Sequence, residues 1–224
     1  SWRNGYARVG SGFEHPILYG LFCAIMVAPL FYRYRTRPVL AVFCLCLAVL
    51  MTYFSLSSAP LIAAGLCVLL IGWDYVSNGR WKLLAFGFVA AMIFLTLASN
   101  RGPVVILIDN LTFNAHTAWT RIWIWRYGSE EVLRYPFMGK GLFEHWVRPG
   151  WLTPSVDNFW LVIAMRYGFP GVILLILGLG TGVASVLRNQ ITDPETARAR
   201  TGYVIALTGL YFSLATVHMW GDTS

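Results

Sequence analysis

Pro170-Gly171-Val172-Ile173-Leu174-Leu175-Ile176-Leu177-Gly178-Leu179-Gly180-Thr181-Gly182-Val183-Ala184-Ser185-Val186-Leu187 carries no ionisable side chain, and Arg188 follows it at once. At about 1.5 Å of rise per residue this run comes close to crossing a hydrocarbon core of roughly 30 Å, where only a helix satisfies its own backbone. It reads as a membrane span. Outward from it, comparable apolar runs lie at 16–32, 38–55, 59–75, 81–98 and 202–220. Pro16, Pro38 and Pro60 stand in the first turns of their runs, where a missing amide proton costs little, whereas Pro29 is expected to kink or end the first run. The expected fold class is all-α: a polytopic helical membrane protein with about six spans and one large, partly helical loop.

Composition points the same way. Of 224 residues, 57% are hydrophobic and 12% charged, with mean hydropathy +0.60, which excludes an ordinary water-soluble globule. The 17 Lys and Arg against 10 Asp and Glu leave a charge of +7. They are scattered between apolar runs rather than gathered on a polar face, so nucleic acid is not an expected partner. Cys23, Cys44, Cys46 and Cys67 all fall inside apolar runs and read as small core hydrophobes rather than disulfide or zinc ligands. The sequence begins at Ser1 without a signal-peptide pattern and stops just beyond an apolar run, so it is read as a piece of a longer polytopic protein.

Basic residues set the orientation. Arg33, Arg35 and Arg37, then Arg80 and Lys82, then Arg188, Arg198 and Arg200 occupy connections on one side of the alternation, which is therefore expected to be cytoplasmic. The other side holds 1–15, the Ser55-Leu56-Ser57-Ser58 connection and one long polar stretch. This divides the chain into 1–98 (an extracytoplasmic segment and four spans), 99–158 (the large loop) and 159–224 (a loop-exit helix and the last two spans).

The large loop is too aromatic for disorder, with Trp119, Trp123, Trp125, Trp146 and Trp151 inside it and Trp160 just beyond. From Asn114 to Tyr135 the pattern suits an amphipathic helix: Asn114 as N-cap, Arg126 and Glu130 at i,i+4, Trp119, Ile122 and Trp123 on one face, and Pro136 as terminator. The turn Gly139-Lys140-Gly141 follows. A second helix is expected from Ser155, ahead of Gly168, Pro170 and Gly171.

Six basic residues of this loop, Arg101, Arg121, Arg126, Arg134, Lys140 and Arg148, lie where topology does not call for positive charge. Arginine suits phosphate because its planar guanidinium is bidentate and stays charged when partly desolvated; the alternative is pairing with Asp109, Glu130, Glu131 and Glu144, or with lipid headgroups. Asp157, beside Asn158 at the entry to an apolar helix, suits a general base or, equally, a helix cap. His15 beside Glu14 and His145 beside Glu144 are adjacent pairs for which structural hydrogen bonding is the simpler role. The sequence has no metal-ligand spacing, no Asp-x-Asp and no GxxxxGK[ST] loop, so neither metal nor cofactor is expected. Sparse intramembrane charge argues against a transporter or flippase, which needs a polar path between its spans.

Four stretches resemble the O-antigen ligase and polymerase superfamily, the exopolysaccharide and O-antigen polymerases in particular. Arg8-Val9-Gly10-Ser11-Gly12-Phe13-Glu14-His15-Pro16-Ile17, with Gly20, is similar to the segment before a mid-chain span. Ser55-Leu56-Ser57-Ser58-Ala59-Pro60 sits where many members have Ser-Arg-Gly. Arg121 with Trp125, then Pro136-x-x-Gly139-x-Gly141, resemble the family's periplasmic-loop patterns. Asp157-Asn158-x-x-Leu161 with Tyr167-Gly168-x-x-Gly171 resembles its loop exit. Two departures stand out: Ser58 replaces the Ser-Arg-Gly arginine, leaving Arg101 to offer a guanidinium, and Asp157 stands where many ligases have histidine.

The resemblance implies a multi-pass protein of the bacterial inner membrane with its large loop in the periplasm. It implies a metal-independent glycosyltransferase in which a sugar hydroxyl attacks a polyprenyl-diphosphate-linked oligosaccharide. The Asp-Asn form looks like a polymerase, with ligase-type transfer to a lipid or protein acceptor as the alternative and a non-catalytic scaffold as the rival outside enzymes. The implied partners are the lipid-linked oligosaccharide, the bilayer, and a chain-length regulator and flippase of the same pathway. Arg121 is the first choice to stabilise the leaving diphosphate and Arg101 the second, with Asp157 as base. Arg8, His15, Trp125, Arg126, Lys140, His145, Asn158 and Arg166 are candidate substrate contacts.

Overall fold

The computed structural model describes residues 2–3, 6–98, 115–141 and 145–215. Seven helices carry the described chain: α1 (Pro16–Arg33), α2 (Pro38–Tyr53), α3 (Ser58–Ser77), α4 (Trp81–Ala98), α5 (Ala115–Arg134), α6 (Phe159–Arg188) and α7 (Pro194–Ser213). A two-residue antiparallel ladder pairs Trp2 with Ala7 and Arg3 with Tyr6 near the N-terminus. Among the described residues α1, α3 and α6 are long and apolar enough to cross a membrane, while α2 and α4 are apolar but shorter. The fold is that of a helical membrane protein.

Three boundaries differ from the sequence expectation. Pro29 neither ends nor visibly interrupts α1, which runs on to Arg33; one lost i→i−4 bond four residues from the end is a small penalty for a helix packed on three neighbours. The last helix begins at Pro194, eight residues before its expected start, because the Asp193 carboxylate accepts the Thr196 amide (2.7 Å) and hydroxyl (2.6 Å) and Pro194 occupies the first turn. These hydrogen bonds hold the Asp193 carboxyl below its ordinary value. The helix expected from Ser155 starts instead at Phe159, capped by Asn158. The expected Asn114 cap lies outside the described residues.

Helices α1, α2, α3 and α7 form a bundle whose core is built largely from Ala24, Val27, Ala28, Ala63, Ala64 and Cys67. Small residues let the backbones approach closely, which is the way helices associate where lipid offers no hydrophobic driving force. At Gly209 of α7 an added Cβ would fall 2.7 Å from Cys67 Sγ and 3.3 Å from the Ala63 carbonyl.

The two ends of the bundle differ. At one, Arg33 is bonded to Glu195, and Asp74 near the end of α3 accepts the Tyr32 hydroxyl (2.6 Å) and pairs with Arg35 (3.1 Å), so the first Arg-bearing connection meets both the start of α7 and the end of α3. At the other, the Val9 amide donates to the Phe54 carbonyl (3.1 Å) and Arg8 Nε to the Ser55 carbonyl (2.9 Å). Gly20 permits this turn to sit on α1, since a Cβ there would lie 2.5 Å from Ser55 Oγ. Two of the four family-like stretches are therefore in contact at this end.

Helix α5 and the chain from Trp146 to Val156 form a second core with the start of α6, in which Ile124, Val132, Trp146, Leu152, Val156, Leu161, Val162 and Met165 are buried together. Gly128 sets the crossing of α5 on α6: a Cβ there would lie 2.6 Å from Leu161 Cδ2. This module joins the bundle where the Phe159 amide donates to the Leu214 carbonyl (3.0 Å) and Trp160 Nε1 to the Tyr211 carbonyl (3.3 Å).

Candidate functional site

Arg121 and Trp125 stand one turn apart on α5; Asp157 and Asn158 belong to the approach to α6 and Leu161 to its first turn. With Ile124 and Ala215 they line one shallow, open cleft where the module meets the end of α7. Four sequence candidates, separated by up to 37 positions, thus share a single depression. Helical spacing explains Arg121 and Trp125, and the Gly128–Leu161 crossing brings α6 against them.

The cap of α6 is Asn158 and not Asp157. The Asn158 Oδ1 accepts the Leu161 amide at 3.0 Å. Asp157 is exposed at the cleft, with the Ser155 hydroxyl donating to its Oδ1 at 3.4 Å. Its oxygens retain acceptor capacity for an incoming hydroxyl.

The remaining candidates are spread around this centre. Arg126 lies on the opposite face of α5, 4.0 Å from Glu130 at the i,i+4 spacing expected, with its guanidinium 5.2 Å from the Trp123 ring. Lys140 is drawn inward: its ammonium lies 2.6 Å from Glu131 Oε1 and donates to the His145 carbonyl at 2.8 Å. Glu131 is only 2% exposed and also faces Arg134 at 3.6 Å. A carboxylate so desolvated needs its countercharge, so Lys140 acts as an internal brace. His15 accepts the Ile17 amide through Nδ1 (3.3 Å) as the cap of α1, and Arg8 holds the Ser55 turn. His145 is exposed. Arg101 lies outside the described residues.

Sequence reading missed how the two glycine motifs fit together. Helix α6 breaks at Gly168 (φ 67°, ψ −170°), which frees carbonyls of the preceding turn. The turn after Pro136 fills the gap: the amides of Lys140 and Gly141 donate to the carbonyls of Met165 (2.7 Å) and Arg166 (3.2 Å), and the Phe169 amide returns a bond to the Pro136 carbonyl (2.7 Å). A Cβ at Gly139 would stand 2.3 Å from the Arg166 backbone, and one at Gly168 2.5 Å from the Pro136 carbonyl. Both have positive φ, so glycine is required at both. The pattern Pro136-x-x-Gly139-x-Gly141 is therefore a backbone clasp on Tyr167-Gly168; its only signal in the sequence was the pairing of two glycine-rich turns.

A family model described as O-antigen ligase matches residues 40–176, more than half of the chain, and spans α2 to α6 including the cleft and the clasp. The chain belongs to the O-antigen ligase family. No curated protein and no solved structure matches it. In this member of the family, Arg121, Trp125, Asp157 and Asn158 all fall within the matched stretch, whereas Arg8, His15, the whole of α7 and Ala215 lie outside it.

Proposed function

We propose that this protein is a polysaccharide polymerase of the bacterial inner membrane, acting at its periplasmic face on a polyprenyl-diphosphate-linked oligosaccharide. The observation that carries the reading is the convergence of Arg121 and Asp157 on one cleft at the end of the bundle opposite the Arg-rich connections. Asp157 accepts the proton of a sugar hydroxyl on one lipid-linked repeat. The hydroxyl oxygen bonds to the anomeric carbon of another repeat, the bond from that carbon to the diphosphate breaks, and the lipid diphosphate leaves with its electron pair. Arg121 stabilises the charge developing on the leaving group; one well-placed donor in such a position is worth ~3 kcal/mol. Trp125 and Leu161 supply an apolar wall, and Arg101 is assigned a supporting role at the diphosphate. The choice of polymerase over ligase rests on the Asp157-Asn158 form of the loop exit.

The test is turnover by the complete protein in proteoliposomes supplied with defined polyprenyl-diphosphate oligosaccharides. A polymerase yields a ladder of chain lengths; a single addition to a non-repeat acceptor would make it a ligase. Arg121→Ala should lower kcat by about 100-fold, the scale of losing one oxyanion-type donor. Asp157→Asn keeps shape and removes the base, so turnover should vanish while the lipid-linked substrate still binds; undiminished turnover in either variant would remove that residue from the mechanism.

A further inference from the structure

Among the described residues the tip of the clasp is apolar and uncovered. Phe137 is 76% exposed and Met138 88%, and around them Tyr135, Tyr167 and Phe169 are also exposed. Five large apolar or aromatic side chains, three from the turn after α5 and two from the break in α6, are costly in water and call for a partner. We infer that this partner is the bilayer: Phe137 and Met138 seat in the outer leaflet at the boundary of headgroups and acyl chains and fix the height of the cleft above the membrane.

The argument is one of length and continuity. The tip is hydrogen-bonded through Pro136 to Phe169, the first residue of α6 beyond its break. From there to Arg188 the helix has about 20 residues and spans roughly 30 Å. Helix α7 also has 20 residues and the same length. Residues 189–193 connect the two at the Arg-rich end, and Phe159 meets Leu214 at the other. The nine residues from Phe159 to Tyr167 are thus surplus to the crossing. Gly168, and the tip clasped to it, then stand at the entry of the charge-free run from Pro170 to Leu187.

The exposed face of α5 offers a contrast. It carries Trp119 and Trp123, but Arg126 and Glu130 follow them along the helix at 65% and 52% side-chain exposure, which favours water for that face. Phe137 and Met138 themselves carry no charge; beside them Lys140 is turned inward to Glu131, while Arg134, 54% exposed and 3.6 Å from Glu131, stands where it can meet a lipid phosphate. A short apolar loop flanked by aromatic residues is the composition expected of an interfacial anchor. Its consequence for catalysis, a donor diphosphate presented at cleft height, rests on the function proposed above; the anchoring itself does not.

The experiment uses the full chain with Cys23, Cys44, Cys46 and Cys67 replaced by alanine, in phosphatidylethanolamine–phosphatidylglycerol vesicles. Met138→Cys carrying an environment-sensitive fluorophore should be quenched several-fold more by lipids brominated on the acyl chain than Glu130→Cys carrying the same label. Equal weak quenching at both positions, or protection of Met138 from both brominated lipid and aqueous iodide, would overturn the anchor. In the second case another part of the protein covers the tip. With the lipid-linked oligosaccharide of the source cells, Phe137→Asp with Met138→Asp should raise KM several-fold and leave kcat nearly unchanged, whereas a fall in kcat alone would overturn the positioning role. If the unaltered protein turns over no lipid-linked sugar, the proposed function fails and the quenching result still decides the anchor.

Discussion

In the bundle of α1, α2, α3 and α7 most of the buried side chains are small, Ala24, Ala28, Ala63, Ala64 and Cys67 among them, with Tyr32, Leu70, Ile71 and Ile205 the larger exceptions, and small residues bring the helices close together. In the module of α5 and the start of α6 they are large, with Trp146, Leu152, Leu161 and Met165 around a buried ion pair and a turn held by main-chain hydrogen bonds. The two solutions suit two surroundings. A helix pair in lipid gains little by burying more hydrocarbon, so close approach decides its stability. A segment bathed in water gains about 25 cal/mol per Å² of apolar surface removed from it, and large side chains supply that area. The cleft lies where the two meet, with Arg121 and Asp157 supplied by the module and Ala215 by the chain leaving α7.

If the module depends on a few costly polar contacts, breaking one should disable it while the bundle survives. Lys140→Ala leaves Glu131 buried with Arg134 as its remaining cation, at 3.6 Å. Loss of one partner from a buried pair costs roughly 3–5 kcal/mol, and Arg134 offsets part of this. Amides of residues 115–141 and 145–165 should then exchange hydrogen much faster, with α1 and α3 unaffected. Uniform acceleration would show that bundle and module are one cooperative unit.

The bundle should answer to volume instead. Gly209→Ala places a methyl group 2.7 Å from Cys67 Sγ, and overpacking of this kind costs about 1–3 kcal/mol. Replacing Cys67 by alanine removes the obstructing sulfur, so the double variant should recover most of the lost thermal stability in detergent. Full stability of Gly209→Ala alone would mean that α7 shifts freely on α3, and the contrast with the module would weaken.

These differences also explain how much could be read in the sequence. The apolar runs at 16–32 and 59–75 became α1 and α3 nearly to the residue, and the pattern from Asn114 to Tyr135 became α5, because each is a local periodicity. Arg121 and Trp125 were likewise legible as neighbours on one helix. The start of α7 was missed because the apolar run begins at Gly202 whereas the helix begins at its cap, Asp193, in a polar and charged turn. Lys140 was read as a substrate contact because nothing local reveals its distance from Glu131, nine residues away and across a turn. The glycines of the clasp were visible, but their partner was not. The clash that Gly139 avoids is with Arg166, a residue that only the folded chain brings near.

The smallest expected effect isolates burial as the cause. Arg126→Ala deletes one positive charge from the same helix that carries Glu131, and its partner Glu130 is also a glutamate. Its 4.0 Å pair is open to solvent on both sides, where an i,i+4 contact contributes about 0.3–0.5 kcal/mol and salt screens it further. The stacking of its guanidinium on Trp123 adds about 0.5–1 kcal/mol at an exposed site. Arg126→Ala should therefore lower the stability of the module by no more than about 1.5 kcal/mol, and part of that loss should disappear in high salt. A loss as large as that of Lys140→Ala would place Arg126 in a desolvated contact. The water-facing surface of α5, which separates this face from the apolar clasp tip, would then have to be redrawn.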